Sequence, residues 1–461
     1  MSDLVIANGT VVLPDGAVQA DVLIDGETIT DIVDPGTGRG GRIIDAAGKI
    51  VLPGGVDPHV HLLIGFMGQR SVYDFESGGI AALRGGTTSI VDFALQRRGG
   101  SMLAGLKHRR KQADPVVTVD YGLHLIVTDV NDDSLAELAA LRAEGVTTLK
   151  VYTVYEEDGL KLDDGALHRL MGQAAKDDLM VVLHAENAGI VEHLRARAVA
   201  KGHTAPIWHA RTRPPIVEIE AVSRAIHFAS DTGCGLHILH LVAAGALPLI
   251  EAARRDGLPV TAETCTHFLA LTEDALLRED GHNFILSPPL RDAANQAQLW
   301  AALASGVLSA VTSDEVSYSA AAKAMGLPSF ADVANGCPGI EARLPVLYTL
   351  GVDQGRLSLE QFARLTATWP AEIFGLERKG RIARGYDADL TILDTDKRHV
   401  ITPESDFGAI GYNPYSGIEL TAMVDTTVLR GEVVVEQGDF KGRAGQGRFV
   451  TRTTAQRPDL P

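Results

Sequence analysis

His59 and His61 sit one residue apart, just after the apolar run Ile50-Val51-Leu52-Pro53-Gly54-Gly55-Val56. Side chains at i and i+2 of a strand point to one face, so this spacing aims two imidazoles at one point where a buried strand ends. Imidazole nitrogen suits zinc and its transition-metal neighbours. A lone His-x-His pair also occurs as ordinary packing, and the metal reading draws its weight from the ends of other strand-like runs. Val181-Val182-Leu183 leads into His184, Leu236-His237-Ile238-Leu239 into His240, and Leu308-Ser309-Ala310-Val311-Thr312-Ser313 into Asp314. Thr147-Thr148-Leu149-Lys150-Val151-Tyr152 holds a lysine in mid-run, with no obvious partner nearby in sequence. Buried lysines are rare unless paired, neutralised or functional. Singly, His184 and His240 read as hydrogen-bonded core histidines, Asp314 as a helix cap and Lys150 as a snorkelling side chain. Together they form a set that a metal site explains.

The elements that must position these residues change character along the chain. Residues 4–7, 10–13, 21–24, 28–33 and 42–45 read as short strands broken by turns such as Pro14-Asp15-Gly16 and Asp25-Gly26. From about Leu52 to Gly385, apolar strands alternate with helical stretches, for example 134–144, 164–177, 215–232 and 295–304. That alternation implies βαβ units and a parallel sheet. Eight units fit the length, and the candidate ligands fall at strand C-termini, where barrel enzymes build their sites. Strands return at 389–393 and 427–435. The expected fold is α/β: a (β/α)8 TIM barrel over 53–385 beside a small β-sandwich built from 1–52 and 386–440, with a tail at 441–461.

Composition agrees with a large soluble enzyme. The chain has 461 residues, 45% of them hydrophobic, enough for a barrel and a smaller domain. A net charge of −17 argues against non-specific nucleic-acid binding and against an acidic membrane surface. Cys234, Cys265 and Cys337 show no CxxC spacing, which points to a reducing compartment. The N-terminus runs directly into strand-like residues without a leader pattern, and no apolar run is long enough to span a bilayer. The expectation is a cytoplasmic protein.

The motifs PGGVDPHVHL, AALRGGTTSIVDF, LKVYTVY, VVLHAEN, LHILHL, TAETCTHFLALT, ILSPPLR, TSDE and NGCPGIEAR stand in this order between Pro53 and Arg343, and the likeness they carry runs from Leu4 to about Phe449. In that order and spacing the chain resembles the cyclic amidohydrolases, most of all the dihydropyrimidinases and hydantoinases. The resemblance implies a barrel holding two divalent metal ions, bridged by a carbamylated lysine and a hydroxide. Carried over position by position, His59, His61 and Asp314 would bind the more buried ion, and His184 and His240 the other. Lys150, as N6-carboxylysine, would bridge them. Zinc is the expected metal, with manganese or cobalt as other candidates.

The chemistry supports that assignment on its own terms. A buried lysine with a depressed pKa is the kind that reacts with carbon dioxide, because the nucleophile is the neutral amine. Two nearby metal ions supply hydroxide near neutral pH and polarise a carbonyl. Asp314 would take the attacking water's proton and deliver it to the leaving nitrogen, as general base and then general acid. The resemblance further implies that Tyr155 donates its hydroxyl to the developing oxyanion. Ser287 and Asn335 would hold the cyclic amide or imide, largely through backbone groups. Phe66 and Tyr152 are expected to line the pocket. His108, His168, His193, His203, His209, His227, His237, His267 and His282 read as structural or solvated.

Departures from the family pattern bear on the substrate. Glu315-Val316 follow the metal aspartate where the family has His-Cys, Leu241-Val242-Ala243-Ala244 replace His-Val-Ser-Ser, Thr264-Cys265-Thr266-His267 replace the TCP-containing motif, and NGCPG replaces NGGPG. None removes a ligand. Leu63 occupies the place where dihydroorotases carry a carboxylate-binding Arg, and the segment from His61 to Phe75 is largely apolar. The expected substrate is therefore a hydantoin or dihydropyrimidine-type ring with an uncharged substituent. Allantoin comes behind, dihydroorotate last, and Glu315 would reinforce that rejection if it faced the pocket. The other readings are an allantoinase and, in another class, a non-catalytic scaffold that binds protein partners. The tail 442–449 resembles a segment that reaches a neighbouring subunit, so a homo-oligomer, a tetramer, is expected.

Overall fold

Runs of Val, Ile and Leu that are buried on both faces read as continuous apolar strands rather than alternating ones, because helices cover the outside of a parallel sheet. In the computed structural model, which describes residues 2–408 and 410–453, eight such runs lie side by side in chain order. They are Gly55–Asp57, Thr87–Leu95, Asp120–Ile126, Thr148–Tyr152, Met180–His184, Gly235–Ile238, Val260–Cys265 and Ala310–Thr312. All their pairings are parallel. The first and last runs meet through a bridge between Val60 and Glu315, where the His61 N–H donates to the Glu315 carbonyl at 2.9 Å. The result is the (β/α)8 TIM barrel.

Helices between the strands carry their own start and stop signals. Asp74 accepts the Glu76 and Ser77 N–H groups at the head of Phe75–Arg84, and Asp163 accepts the Ala166 N–H ahead of Asp164–Lys176. Ile216–Thr232 stops at Gly233, whose φ of 72° is the left-handed conformation a helix C-terminus favours. The stretch expected as one helix at 134–144 is two, Asp132–Ala136 and Leu138–Ala143. The break falls at Glu137, whose carboxylate turns aside to accept the Leu103 N–H of a neighbouring helix at 3.0 Å.

The β-rich ends of the chain form one nine-stranded sheet, the β-sandwich domain. Ile50–Pro53, from the N-terminal part, pairs antiparallel with Leu390–Asp394 from the C-terminal part. A second core that includes Ile6, Val11, Val22, Ile24, Leu390 and Ile392 fills it. Residues 427–435, expected as a single strand, are a hairpin of Met423–Leu429 and Glu432–Glu436. Arg430 and Gly431 both have positive φ, 46° and 75°, which turns the chain tightly. Gly431 is needed there: a Cβ would lie 2.0 Å from the Gly26 carbonyl oxygen.

Beyond that sheet the chain returns to its own barrel. The Gly447 N–H donates to Val117 O, Val450 N–H to Tyr121 O and Arg452 N–H to Gly145 O. These contacts run past the N-terminal ends of the third and fourth barrel strands. Arg452 is buried and reaches Thr148 Oγ1 at 2.9 Å inside the barrel. Residues 454–461 of the predicted tail lie outside the described residues. Among the described residues, no helix is long and apolar enough to cross a membrane.

Candidate active site

At the C-terminal ends of the strands the predicted ligands converge. His59 and His61 follow the first strand, Lys150 lies in the fourth, His184 closes the fifth, His240 follows the sixth and Asp314 the eighth. His59 Nε2 is 3.1 Å and His61 Nε2 3.5 Å from Asp314 Oδ1. Donor atoms of His59, His240 and Asp314 all lie within 4.8 Å of one another. The rings of His184 and His240 stand 4.4 Å apart. Lys150 packs over the ring of Tyr152 at 4.4 Å and faces the same cavity as His61, His184, His240 and Asp314. Two of these residues hold strained backbone, His240 at φ 37° and Asp314 at φ 47°, as Tyr155 does at φ 68°. Such outliers persist only where surrounding contacts fix them, and they gather at functional sites.

Electrostatics at the cluster favour metal binding. Burial pushes the His61 imidazolium down to about 4 and His240 well below its ordinary value, so both are neutral donors near pH 7. Burial raises the Asp314 carboxyl, but His59, His61 and His240 outweigh it and hold the group well below the usual range. Lys150 is 1% exposed, and among the described residues no carboxylate lies within ion-pair distance of it. Burial brings its pKa down to about 7, so a large share of neutral amine is present at physiological pH. Two buried nitrogens of the cluster, His59 Nε2 and His240 Nδ1, have no hydrogen-bond partner. Imidazole nitrogens without hydrogen-bond partners, a carboxylate and a reactive buried amine make a donor set that fits divalent metal ions.

Acids that the sequence reading passed over brace these ligands. Glu263, mid-strand in the seventh strand, has Oε1 2.5 Å from His59 Nδ1 and Oε2 3.2 Å from His237 Nε2. It also accepts the His240 N–H at 3.3 Å. Glu186 holds His184 Nε2 at 2.8 Å and is itself beside Arg213 at 3.3 Å. Fixing one ring nitrogen with a carboxylate orients the other for a metal. The only signal in the sequence was an acid within an apolar run, the same signal that drew attention to Lys150. Glu315 does not face the cavity: it is buried and accepts the Gly339 and Ile340 N–H groups at 2.7 and 2.9 Å.

The cavity holds about 700 Å³ and is closed on one side by the segment after His61. There Gly65–Phe66 and Gln69–Arg70 form a small hairpin that the sequence did not reveal. Leu63, Ile64, Phe66 and Met67 face inward, whereas Arg70 is exposed and outside the lining. Tyr155, Ser287 and Asn335 stand together on the wall. Burial pushes the Tyr155 phenol up to about 12, which keeps it protonated. His209, read as structural, lies behind: its Nε2 is 2.8 Å from Leu286 O and 3.1 Å from Ser287 Oγ. The outer rim is not purely apolar, since Arg97 and His108 line it opposite Asp158.

Comparison with known proteins gives one consistent picture. Residues 50–434 match the model of the amidohydrolase family. A D-hydantoinase of Geobacillus stearothermophilus is 39% identical over 97% of this chain and 96% of its own length. A dihydropyrimidinase of Rattus norvegicus is 36% identical over 97% of this chain and 88% of its own. The crystal structure of a dihydropyrimidinase from Brevibacillus agri superimposes with a TM-score of 0.96 at 40% identity, covering 99% of this chain and all of that one.

Proposed function

The chain belongs to the amidohydrolase family, among its hydantoinases and dihydropyrimidinases, and is a cyclic amidohydrolase; from that premise we propose that it opens a hydantoin or dihydropyrimidine-type ring by metal-assisted hydrolysis. The observation that carries this reading is the meeting of His59, His61, His184, His240, Asp314 and the buried Lys150 at one end of a cavity walled by Tyr155, Ser287 and Asn335. In this reading His59, His61, His184, His240, Asp314 and Lys150, the last as its carbamate, would hold two divalent cations, zinc in the first place and manganese or cobalt otherwise. Bound there, such ions lower the pKa of water and draw electron density from the scissile carbonyl.

The chain's own groups do the rest. Backbone groups at Ser287 and Asn335 take the alternating N–H and C=O edge of the ring, which fixes the scissile carbonyl in place. The protonated Tyr155 hydroxyl donates to the carbonyl oxygen as negative charge develops there. Asp314 accepts the proton of the attacking water and gives it to the ring nitrogen as the C–N bond breaks, so the product leaves as a ring-opened carbamoyl acid. The apolar inner wall of Leu63, Ile64, Phe66 and Met67 suits an uncharged substituent near the ring. The same reading keeps the catalytic domain at 53–385, the sandwich at 1–52 and 386–440, and a cytoplasmic homo-oligomer, a tetramer, assembled partly through 441–461.

The test is a ring-opening screen over 5-substituted hydantoins, dihydropyrimidines, allantoin and dihydroorotate. Hydantoins or dihydropyrimidines with apolar substituents should turn over fastest, with dihydroorotate last. Efficient hydrolysis of dihydroorotate alone would overturn the substrate assignment.

A further inference from the structure

Lys323 is fully buried, yet among the described residues no carboxylate pairs with it. Its Nζ donates instead to three backbone carbonyls, Ile285 O at 2.6 Å, Ala334 O at 2.9 Å and Gly336 O at 2.7 Å. Lysine is almost never fully buried without a partner, and an apolar residue in this place would avoid the cost of desolvating a charge. Burial draws its pKa down to about 7, while three carbonyl acceptors for three N–H donors favour the charged form. The three carbonyls belong to two separate loops. Ile285 lies two residues before Ser287, and Ala334 and Gly336 flank Asn335, so one ammonium ties together both loops that present the ring-binding residues. A direct bond from the Gly336 N–H to Ile285 O at 3.1 Å closes the same junction.

A trans peptide points its C=O and N–H in opposite directions. With Ala334 O drawn to Lys323, the Asn335 N–H faces away from the lysine, and Asn335 lines the cavity. Among the described residues this N–H has no acceptor. A cation on the carbonyl side of a peptide polarises it and makes the N–H a stronger donor. We infer that Lys323 is a positioning residue for substrate: it locks the 285–287 and 334–336 loops in register and strengthens the Asn335 N–H that receives a ring carbonyl oxygen. This rests on the reading of the site as one that opens cyclic amides.

The test compares wild type with Lys323→Met, which removes every donor, and Lys323→Gln, which keeps two without the charge. All are metal-loaded and assayed for hydantoin hydrolysis and for binding of N-carbamoylglycine, the ring-opened product. Loss of a charge-assisted anchor should raise KM and the product's Kd about tenfold or more in Lys323→Met, with kcat changed less, metal content unchanged and Lys323→Gln between the two. Unaltered KM in a folded, metal-loaded Lys323→Met overturns the inference even if its Tm falls, since that pattern belongs to a purely structural lysine. If only Lys323→Gln folds, an unaltered KM in that variant overturns it equally. If neither folds, amide exchange in wild type decides: N-carbamoylglycine should slow exchange in the 331–338 peptide, and no slowing overturns it. Absence of any ring opening by wild type would sink the underlying functional reading, and this inference with it.

Discussion

One oxygen of Glu263 lies 2.5 Å from His59 Nδ1, on the side of the ring away from Asp314, so a single carboxylate fixes both the tautomer and the aim of that histidine. The same side chain accepts the His240 N–H and the Thr312 hydroxyl. It thereby ties the ends of the first, sixth and eighth barrel strands to its own, the seventh. Replacing it with glutamine keeps the shape but removes the charge that favours an N–H on Nδ1. We expect Glu263→Gln to bind metal about 10- to 100-fold more weakly, read as metal retained after dialysis against graded chelator. Metal retention equal to wild type would show that the carboxylate merely packs.

Lys150 offers a sharper test. Lys150→Ala should lose activity, and short carboxylic acids in solution should restore part of it by filling the space where a carbamate oxygen would stand. Lys150→Arg should not be rescued, because guanidinium stays cationic and occupies that space. Unimpaired turnover by the alanine variant would make Lys150 a structural residue.

Tyr155 is positioned by a left-handed backbone and kept protonated by burial. Tyr155→Phe should lower kcat by about 100- to 1,000-fold, the usual cost of losing one oxyanion donor, while leaving metal content and KM for hydantoin within a few-fold. A variant that loses metal in parallel with activity would place the residue among the supports of the cluster instead.

Asp406 should make stability depend on pH. Burial, then the nearby Glu341 and Glu315 carboxylates, push its pKa up to about 8, against about 4 for an ordinary aspartate. A carboxyl whose folded pKa is raised is protonated in the fold and ionised in the unfolded chain. Its contribution to stability therefore falls as pH rises from about 4 to about 8. Asp406→Asn removes that penalty. Its Tm should exceed wild type by a few degrees at pH 8.5 and converge with it towards pH 4.5, by calorimetry. A constant offset across that range would assign the effect to packing alone.

Much of the architecture was legible because the barrel strands are buried on both faces and the residues at their ends are chemically conspicuous. His184 and Asp314 announce themselves by interrupting apolar runs just where a strand stops. Glu263 and Glu186 do so less clearly, since an acid becomes a brace for histidine only once the register of neighbouring strands is known. The hairpin at Gly65–Phe66 and Gln69–Arg70 is too short for any periodicity to show. The turn at Arg430-Gly431 was hidden inside a run rich in β-branched residues, where a lone Arg-Gly pair looks like part of the strand. Lys323 gave no signal at all: in Ala321-Ala322-Lys323-Ala324 it reads as a solvated helix residue, and only the fold brings three carbonyls to it.

The sandwich half of this molecule is not contiguous in the chain, and that governs the order in which it can be made. Ile50–Pro53 waits for Leu390–Asp394 to complete the sheet, and the barrel receives Arg452 against Thr148, two residues before Lys150, later still. Domains usually fold in turn as they emerge from the ribosome, N-terminal first. Here the emerging chain carries an unpaired strand edge until residues 390–394 are made, and such edges invite wrong partners. Productive folding thus waits until residues 390–394 have emerged, and expression conditions that slow aggregation of nascent chains should raise yield more than changes that stabilise the finished protein.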